Sequence, residues 1–195
     1  MNAHAGRVIV VDDRSNDSTR IIARNCGATV ILGPGRGKGA AMMTGLRFVT
    51  SSRVAFIDGD LLGFTPAHVI ALTRDNRGMV IGYRDNASWT LSRLPPIGGE
   101  RCLPTHIARS VNLAGYGAEL QLNAAIAHTG LPVSKILLHG VTTTSGYLGP
   151  WRLLTIAPHM VANLPGLMRY ILGTRQQWEE TGVLSETEHV NPMTS

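Results

Sequence analysis

Short apolar blocks separated by polar punctuation run through the first 140 residues, and their period alternates between that of a strand and that of a helix. The first block, Arg7-Val8-Ile9-Val10-Val11, is an unbroken β-branched run of the kind found in parallel strands buried on both faces, and it stops at Asp12-Asp13. Ser15, Asn16, Asp17 and Ser18 then offer side-chain oxygens to cap a helix over Thr19 to Asn25, which Gly27 ends. Ala28 to Leu32 reads as a second strand. A glycine loop from Gly33 to Gly39 leads into a helix predicted from Ala40 to about Val49, with Met42, Met43, Leu46 and Val49 available for the core. Val54-Ala55-Phe56-Ile57 reads as a third strand, closed by Asp58-Gly59-Asp60.

Thr65-Pro66 starts a helix to about Asp75, and Met79 to Gly82 reads as a fourth strand. Tyr83 to Pro104, with Pro95, Pro96, Gly98 and Gly99, reads as a long loop of the sort that serves as a lid or binding segment. Helices return over Thr105 to Leu113 and Glu119 to His128, and Val133 to Leu138 is the last strand. Strand and helix in short alternation predict an α/β sheet with right-handed crossovers, whose ligands lie beyond the carboxyl ends of the strands. Asp12, Asp13, Asp58 and Asp60 all fall on that edge. Residues i and i+2 of a strand share a face, so Asp58 and Asp60 can converge on one hard cation. Asp-Gly is also a common turn dipeptide, which is the plain structural reading of the same residues.

Composition narrows the classes. A chain of 195 residues with 44% hydrophobic and 16% charged content can bury one sizeable core. The net charge of +5 comes from scattered Lys and Arg, and aromatic residues make up only 5%, which argues against nucleic acid. A phosphate-rich small ligand and an anionic lipid surface explain the charge equally well. Two cysteines, Cys26 and Cys102, are too few for a disulfide framework. With no apolar leader and no run of about 18 apolar residues, the expectation is a cytoplasmic protein, peripheral at the inner face of the membrane if it touches lipid. Trp151 to Gly173 is apolar but broken by Pro158 and Pro165. It reads as a packed helical pair or an interfacial membrane segment.

Three motifs in order, Val10 to Thr19, Gly37-Lys38-Gly39-Ala40-Ala41-Met42 with Gly45-Leu46, and Phe56-Ile57-Asp58-Gly59-Asp60-Leu61, resemble those of family 2 glycosyltransferases with the GT-A fold. Gly98 to Pro104 and Gly115-Tyr116-Gly117-Ala118-Glu119 resemble acceptor-side segments of bacterial members near the polyprenyl-phosphate glycosyltransferases and glucosyl-phosphoglycerate synthases. The likeness covers about residues 7 to 145. It implies a GT-A-like, Rossmann-like α/β three-layer sandwich with a mostly parallel sheet. Residues 1–150 would form the nucleotide-sugar and acceptor domain, 151–182 an apolar helical segment and 183–195 a disordered tail.

By the same resemblance, Asp12 and Asp13 match acids of which one faces the nucleotide base, with helix capping as the alternative for either. Lys38 matches the lysine beside the diphosphate. Asp58 and Asp60 match the metal-binding pair, Asp60 as direct ligand and Asp58 shared between metal and ribose. Mg²⁺ or Mn²⁺ suits these oxygen ligands. Glu119 or Glu100 is the candidate base if the acceptor is a hydroxyl; a phosphate acceptor is already ionised and needs none. Arg101, and Arg84 beside it in role, would clamp an acceptor phosphate or carboxylate, so Glu100 and Arg101 are expected on the acceptor side.

The implied activity is transfer of a sugar from a UDP- or GDP-sugar to a hydroxyl or phosphate acceptor, such as polyprenyl phosphate or a small phosphorylated acid. Where relatives place a metal-binding histidine, this chain has His139 followed by threonines. Either His139 acts from a shifted position or the metal has fewer protein ligands. Relatives also begin with a strand, a Pro-x-Tyr-Asn-Glu turn and a helix before the segment matching Val8 to Thr19. The N-terminally truncated sheet expected here leaves an edge or groove to be covered, and reads as a truncated gene product, a misplaced start, or a sheet completed by another chain, as in a homodimer. The alternative is a non-catalytic nucleotide-binding subunit of the same fold. A dinucleotide-binding oxidoreductase fits less well, because the first strand ends in acids and the glycine loop follows the second.

Overall fold

Parallel pairing of β1 (Ile9–Asp12) with β2 (Thr29–Leu32), joined by α1 (Thr19–Asn25), opens the computed structural model, which describes residues 6–84, 98–113 and 117–144 and the backbone of 188–189. α2 (Lys38–Leu46) begins two residues earlier than the pattern predicts. Gly37, at φ +86°, turns the chain into it in a conformation that disfavours residues with a Cβ. β3 (Arg53–Phe56), β4 (Leu61–Leu62), α3 (Pro66–Arg74) and β5 (Met79–Arg84) follow. Thr65 and His68 cap α3 reciprocally, with Pro66 at its first turn. β6 (Arg101–Pro104), α4 (Thr105–Arg109), α5 (Ala118–Ala127), β7 (Val133–Leu138), β8 (Thr142–Thr143) and β9 (Glu188–His189) complete the order.

The larger sheet has the order β3-β6-β5-β7-β9. β6 runs antiparallel to both β3 and β5, while β5, β7 and β9 are parallel, so this sheet is mixed where a mostly parallel one was expected. β6 falls inside the stretch that reads as loop. Its two apolar residues, Cys102 and Leu103, are bracketed by Arg101 and Pro104, and no period can be read from so short a run. The pairing Phe56↔Arg101 sets the segment before β6 beside the exit of β3.

Alternation along β5 divides the core between two faces. Met79 and Ile81 pack with Leu46 of α2, Ile107 and Ala108 of α4 and Leu122 and Ile126 of α5. Val80 packs on the other face with Ile136, Leu138 and Leu72 of α3. The result is helix, sheet, helix in three layers. Each fully buried Leu or Ile stabilises this arrangement by about 1.5–3 kcal/mol.

Among the described residues β1 is hydrogen-bonded only to β2, and β3 only to β6. α2 underlies both. Gly45 meets Val11 of β1, while Met42, Met43 and Leu46 join the cluster that includes Val54 and Phe56 of β3. Among the described residues β1 and β3 therefore each stand at an edge of their sheet.

Among the described residues no helix is long and apolar enough to cross a membrane. The predicted apolar segment at 151–182 lies outside the described residues. Within the tail expected to be disordered, Glu188–His189 adds in parallel to the edge of β7. Main-chain pairing to an exposed edge does not need the apolar side chains that the tail lacks.

Candidate active site

One ammonium group joins three elements. Lys38, the first residue of α2, places Nζ 2.7 Å from Asp58 Oδ1 at the exit of β3 and 2.6 Å from Glu119 Oε1 in the first turn of α5. Burial works against the charge on Lys38, but Glu119 and then Asp58 outweigh it and hold its pKa above the ordinary lysine value. The lysine therefore stays charged throughout the neutral range. Glu119 is the acid of the first turn of α5, where the helix dipole favours a negative charge.

Gly99 closes the wall behind Asp58. A Cβ placed on Gly99 would run into the Asp58 carboxylate, whose side chain would have to turn aside to admit it. Gly99→Ala is expected to displace Asp58. Binding of a nucleoside diphosphate with Mn²⁺, measured calorimetrically, should weaken by at least about tenfold, while far-ultraviolet circular dichroism stays that of the parent.

Two residues expected on the acceptor side are placed differently. Glu100 is fully buried, and neither carboxylate oxygen has a hydrogen-bond partner among the described residues. Burial first, and then the charge of Asp58, raises its pKa against the opposing pull of Arg84 and Lys38. Glu100 thus lies beneath the site. Arg101 is also fully buried, and its guanidinium donates to the carbonyl of Gly98, to the carbonyl of Glu119 at 2.9 Å and to Asn123 Oδ1 at 2.8 Å. A guanidinium spent in this way inside the protein does not clamp an acceptor. Pairing of β6 between β3 and β5 is what buries it.

Asp12 and Asp13 both act on the backbone. Asp12 Oδ1 accepts from the Ser15 N–H at 3.1 Å, and Oδ2 lies 3.3 Å from Arg20 Nε. That bond closes the turn before α1 and does not cap the helix, whose N-cap is Ser18. Asp13 takes the N–H groups of Gly35 and Gly37 at 2.6 and 2.8 Å, one on each oxygen, and so shapes the glycine loop ahead of Lys38. Arg14, which the sequence reading did not single out, adopts φ +73° and lays its side chain against Gly35. Nothing in the sequence marks a left-handed arginine.

Asp60 stands in the turn into β4, and its carbonyl accepts the Thr144 N–H at 2.9 Å. Among the described residues no three His, Cys, Asp or Glu side chains are grouped to hold a metal ion, and His139 joins no such group. A cation here would have Asp58 and Asp60 and the oxygens of its ligand. The donors fit Mg²⁺ or Mn²⁺: they are hard oxygens, and Asp58 already takes a cationic partner in Lys38.

Structural comparison places the fold. A glucosyl-3-phosphoglycerate synthase from Mycobacterium tuberculosis in complex with phosphoglyceric acid aligns with TM-score 0.66 at 22% identity, over 84% of this chain and 68% of that one. The same enzyme with Mn²⁺ and UDP-glucose aligns with TM-score 0.67 at 24% identity, over 83% and 67%. A mycobacterial protein aligns with TM-score 0.72 at 24% identity, over 87% and 66%. The chain spans about two thirds of the length of these structures, and at such identities the likeness is one of fold, the GT-A arrangement. No curated protein matches the sequence. The sequence profile of glycosyl transferase family 2 matches residues 6–109, which is more than half of the chain and includes β1, the glycine loop, Lys38, Asp58 and Asp60. On that match the protein belongs to glycosyl transferase family 2.

Proposed function

We propose that the protein transfers a hexose from a nucleoside-diphosphate sugar, UDP-glucose first among them, to a hydroxyl of a small phosphorylated acid, with Mg²⁺ or Mn²⁺ at Asp58 and Asp60. The observation that carries this reading is the Lys38 ammonium shared between Asp58 and Glu119. It puts a cation for the diphosphate and a carboxylate for the acceptor at one point on the carboxyl edge of the strands. Support also comes from structures of glucosyl-3-phosphoglycerate synthase from Mycobacterium tuberculosis, one in complex with Mn²⁺ and UDP-glucose and another with Mn²⁺, UDP-glucose and phosphoglyceric acid.

A bound divalent cation would neutralise the diphosphate as it leaves. The chain's own groups do the rest. Lys38, charged and preset at the start of α2, offers its N–H donors to the leaving phosphate oxygens. Its departure from Glu119 exposes that carboxylate to the acceptor, where it can receive the hydroxyl proton. Arg84 ends β5 near enough to Glu100 to lower that acid's pKa, and it takes the acceptor-phosphate role that the buried Arg101 cannot fill. A phosphate acceptor would have no need of Glu119, so the pairing favours a hydroxyl.

Incubation of the purified protein with Mn²⁺ and a panel of UDP- and GDP-sugars tests the reading through nucleotide release, with Asp60→Ala as control. Release that requires metal and vanishes in the variant supports it. Donor binding without turnover supports the non-catalytic subunit instead.

The edges of β1 and β3, unpaired among the described residues, support a further part of the proposal, in which a second copy completes the sheet. Light scattering on the eluted protein is expected to give twice the chain mass of 20.9 kDa. A monomer at all concentrations would reject the dimer.

A further inference from the structure

The contacts around the site close into a ring. Lys38 touches Asp58 and Glu119; Asp58 rests on Gly99; and Arg101 binds the carbonyls of Gly98 and Glu119. The guanidinium is therefore the buried link between the wall behind Asp58 and the first turn of α5. Asn123, one helical turn beyond Glu119 and also fully buried, accepts from the same Arg101 nitrogen that binds the Glu119 carbonyl. The planar fork of arginine reaches several acceptors in fixed directions, which the single ammonium of a lysine cannot imitate.

We propose that Arg101, backed by Asn123, is the positioning residue of this site: it fixes Glu119 at the spacing from Asp58 that one Lys38 ammonium spans, and so sets the gap in which donor and acceptor meet. The effect on rate rests on the proposed transferase activity. Without the fork, the first turn of α5 is free to move away from the Gly98-Gly99 wall, and Glu119 leaves Lys38.

Lysine labelling reads that spacing directly. The chain has two lysines, Lys38 and Lys135. Acetic anhydride modification, followed peptide by peptide in the mass spectrometer, compares the parent with Arg101→Met and Asn123→Ala. The expected result is faster acetylation of Lys38 relative to Lys135 in both variants, since the amine loses a carboxylate partner. Binding of UDP with Mn²⁺ is retained, and the turnover rate falls by about 10- to 100-fold without a matching rise in the KM for donor.

If Arg101→Met does not fold, Asn123→Ala decides, because it keeps the guanidinium and removes one of its acceptors. Parental labelling of Lys38 in the folded variants overturns the proposal. So does equal acceleration at Lys135, which would mark general loosening. Selective exposure of Lys38 in a protein that turns over no sugar would leave the positioning role standing and remove the transferase reading.

Discussion

Asp60→Ala is expected to abolish metal-dependent nucleotide release, with Asp58→Asn close behind. On the proposed reading the effect is large because these acids would hold the divalent cation that neutralises the leaving diphosphate. Loss of a cation from the leaving group removes several kcal/mol of transition-state stabilisation, and about 4 kcal/mol is roughly a thousandfold in rate. Asp58→Asn keeps the shape of the side chain against Gly99 and removes its charge, so Lys38 keeps Glu119 alone. Fold and melting temperature should stay near those of the parent in Asp58→Asn, and a chelator should reduce the parent to the level of the variants. Unchanged release in Asp60→Ala, measured at saturating Mn²⁺, would take the metal away from this pair.

Lys38→Met should be nearly as severe, for a different reason. It leaves Asp58 and Glu119, each within 2.7 Å of the vanished ammonium, facing one another across a space with no cation. Loss of one preorganised donor at a developing oxyanion costs about 10²–10³-fold in turnover. A second consequence concerns stability. Glu100 has its pKa raised by burial and by Asp58, and Lys38 is one of the two cations that oppose the rise. Without Lys38 it rises further. A carboxyl with a raised folded-state pKa contributes stability at low pH and loses it as pH climbs through that value. The melting temperature of Lys38→Met should therefore fall further below that of the parent as pH rises from the acid range through neutrality. Parallel curves for the two proteins would show that Glu100 does not feel Lys38.

The strands that end in acids, the glycine loop before Lys38 and the helices from Thr19, Pro66 and Glu119 are all legible in the sequence, because each depends on residues within one turn or one strand. What escapes is what depends on pairing across the chain. β6 is invisible because its neighbours β3 and β5, not its own residues, make it a strand. Arg101 reads as a surface clamp for the same cause, since an arginine after two glycines belongs to a loop until two strands close around it. The backbone partners of Asp12 and Asp13 are equally hidden, for their oxygens meet N–H groups at Ser15, Gly35 and Gly37, the last two more than twenty residues from Asp13. The meeting of Lys38 with Glu119 likewise becomes apparent only once α2 and α5 pack on one face of the sheet.

The interrupted ladder between β1 and β3 also bears on how the molecule opens. A continuous sheet shares its hydrogen bonds across all strands and tends to yield as one unit. Here the β1-β2 pair shares no ladder with the larger sheet among the described residues; Val11 meets Gly45 of α2, and Asp13 holds the glycine loop that leads into that helix. Detaching the pair exposes far less apolar surface than melting the β5 core. Partial opening at the nucleotide end thus lies below global unfolding in free energy, and a ligand that bridges Lys38 and the glycine loop would close that gap.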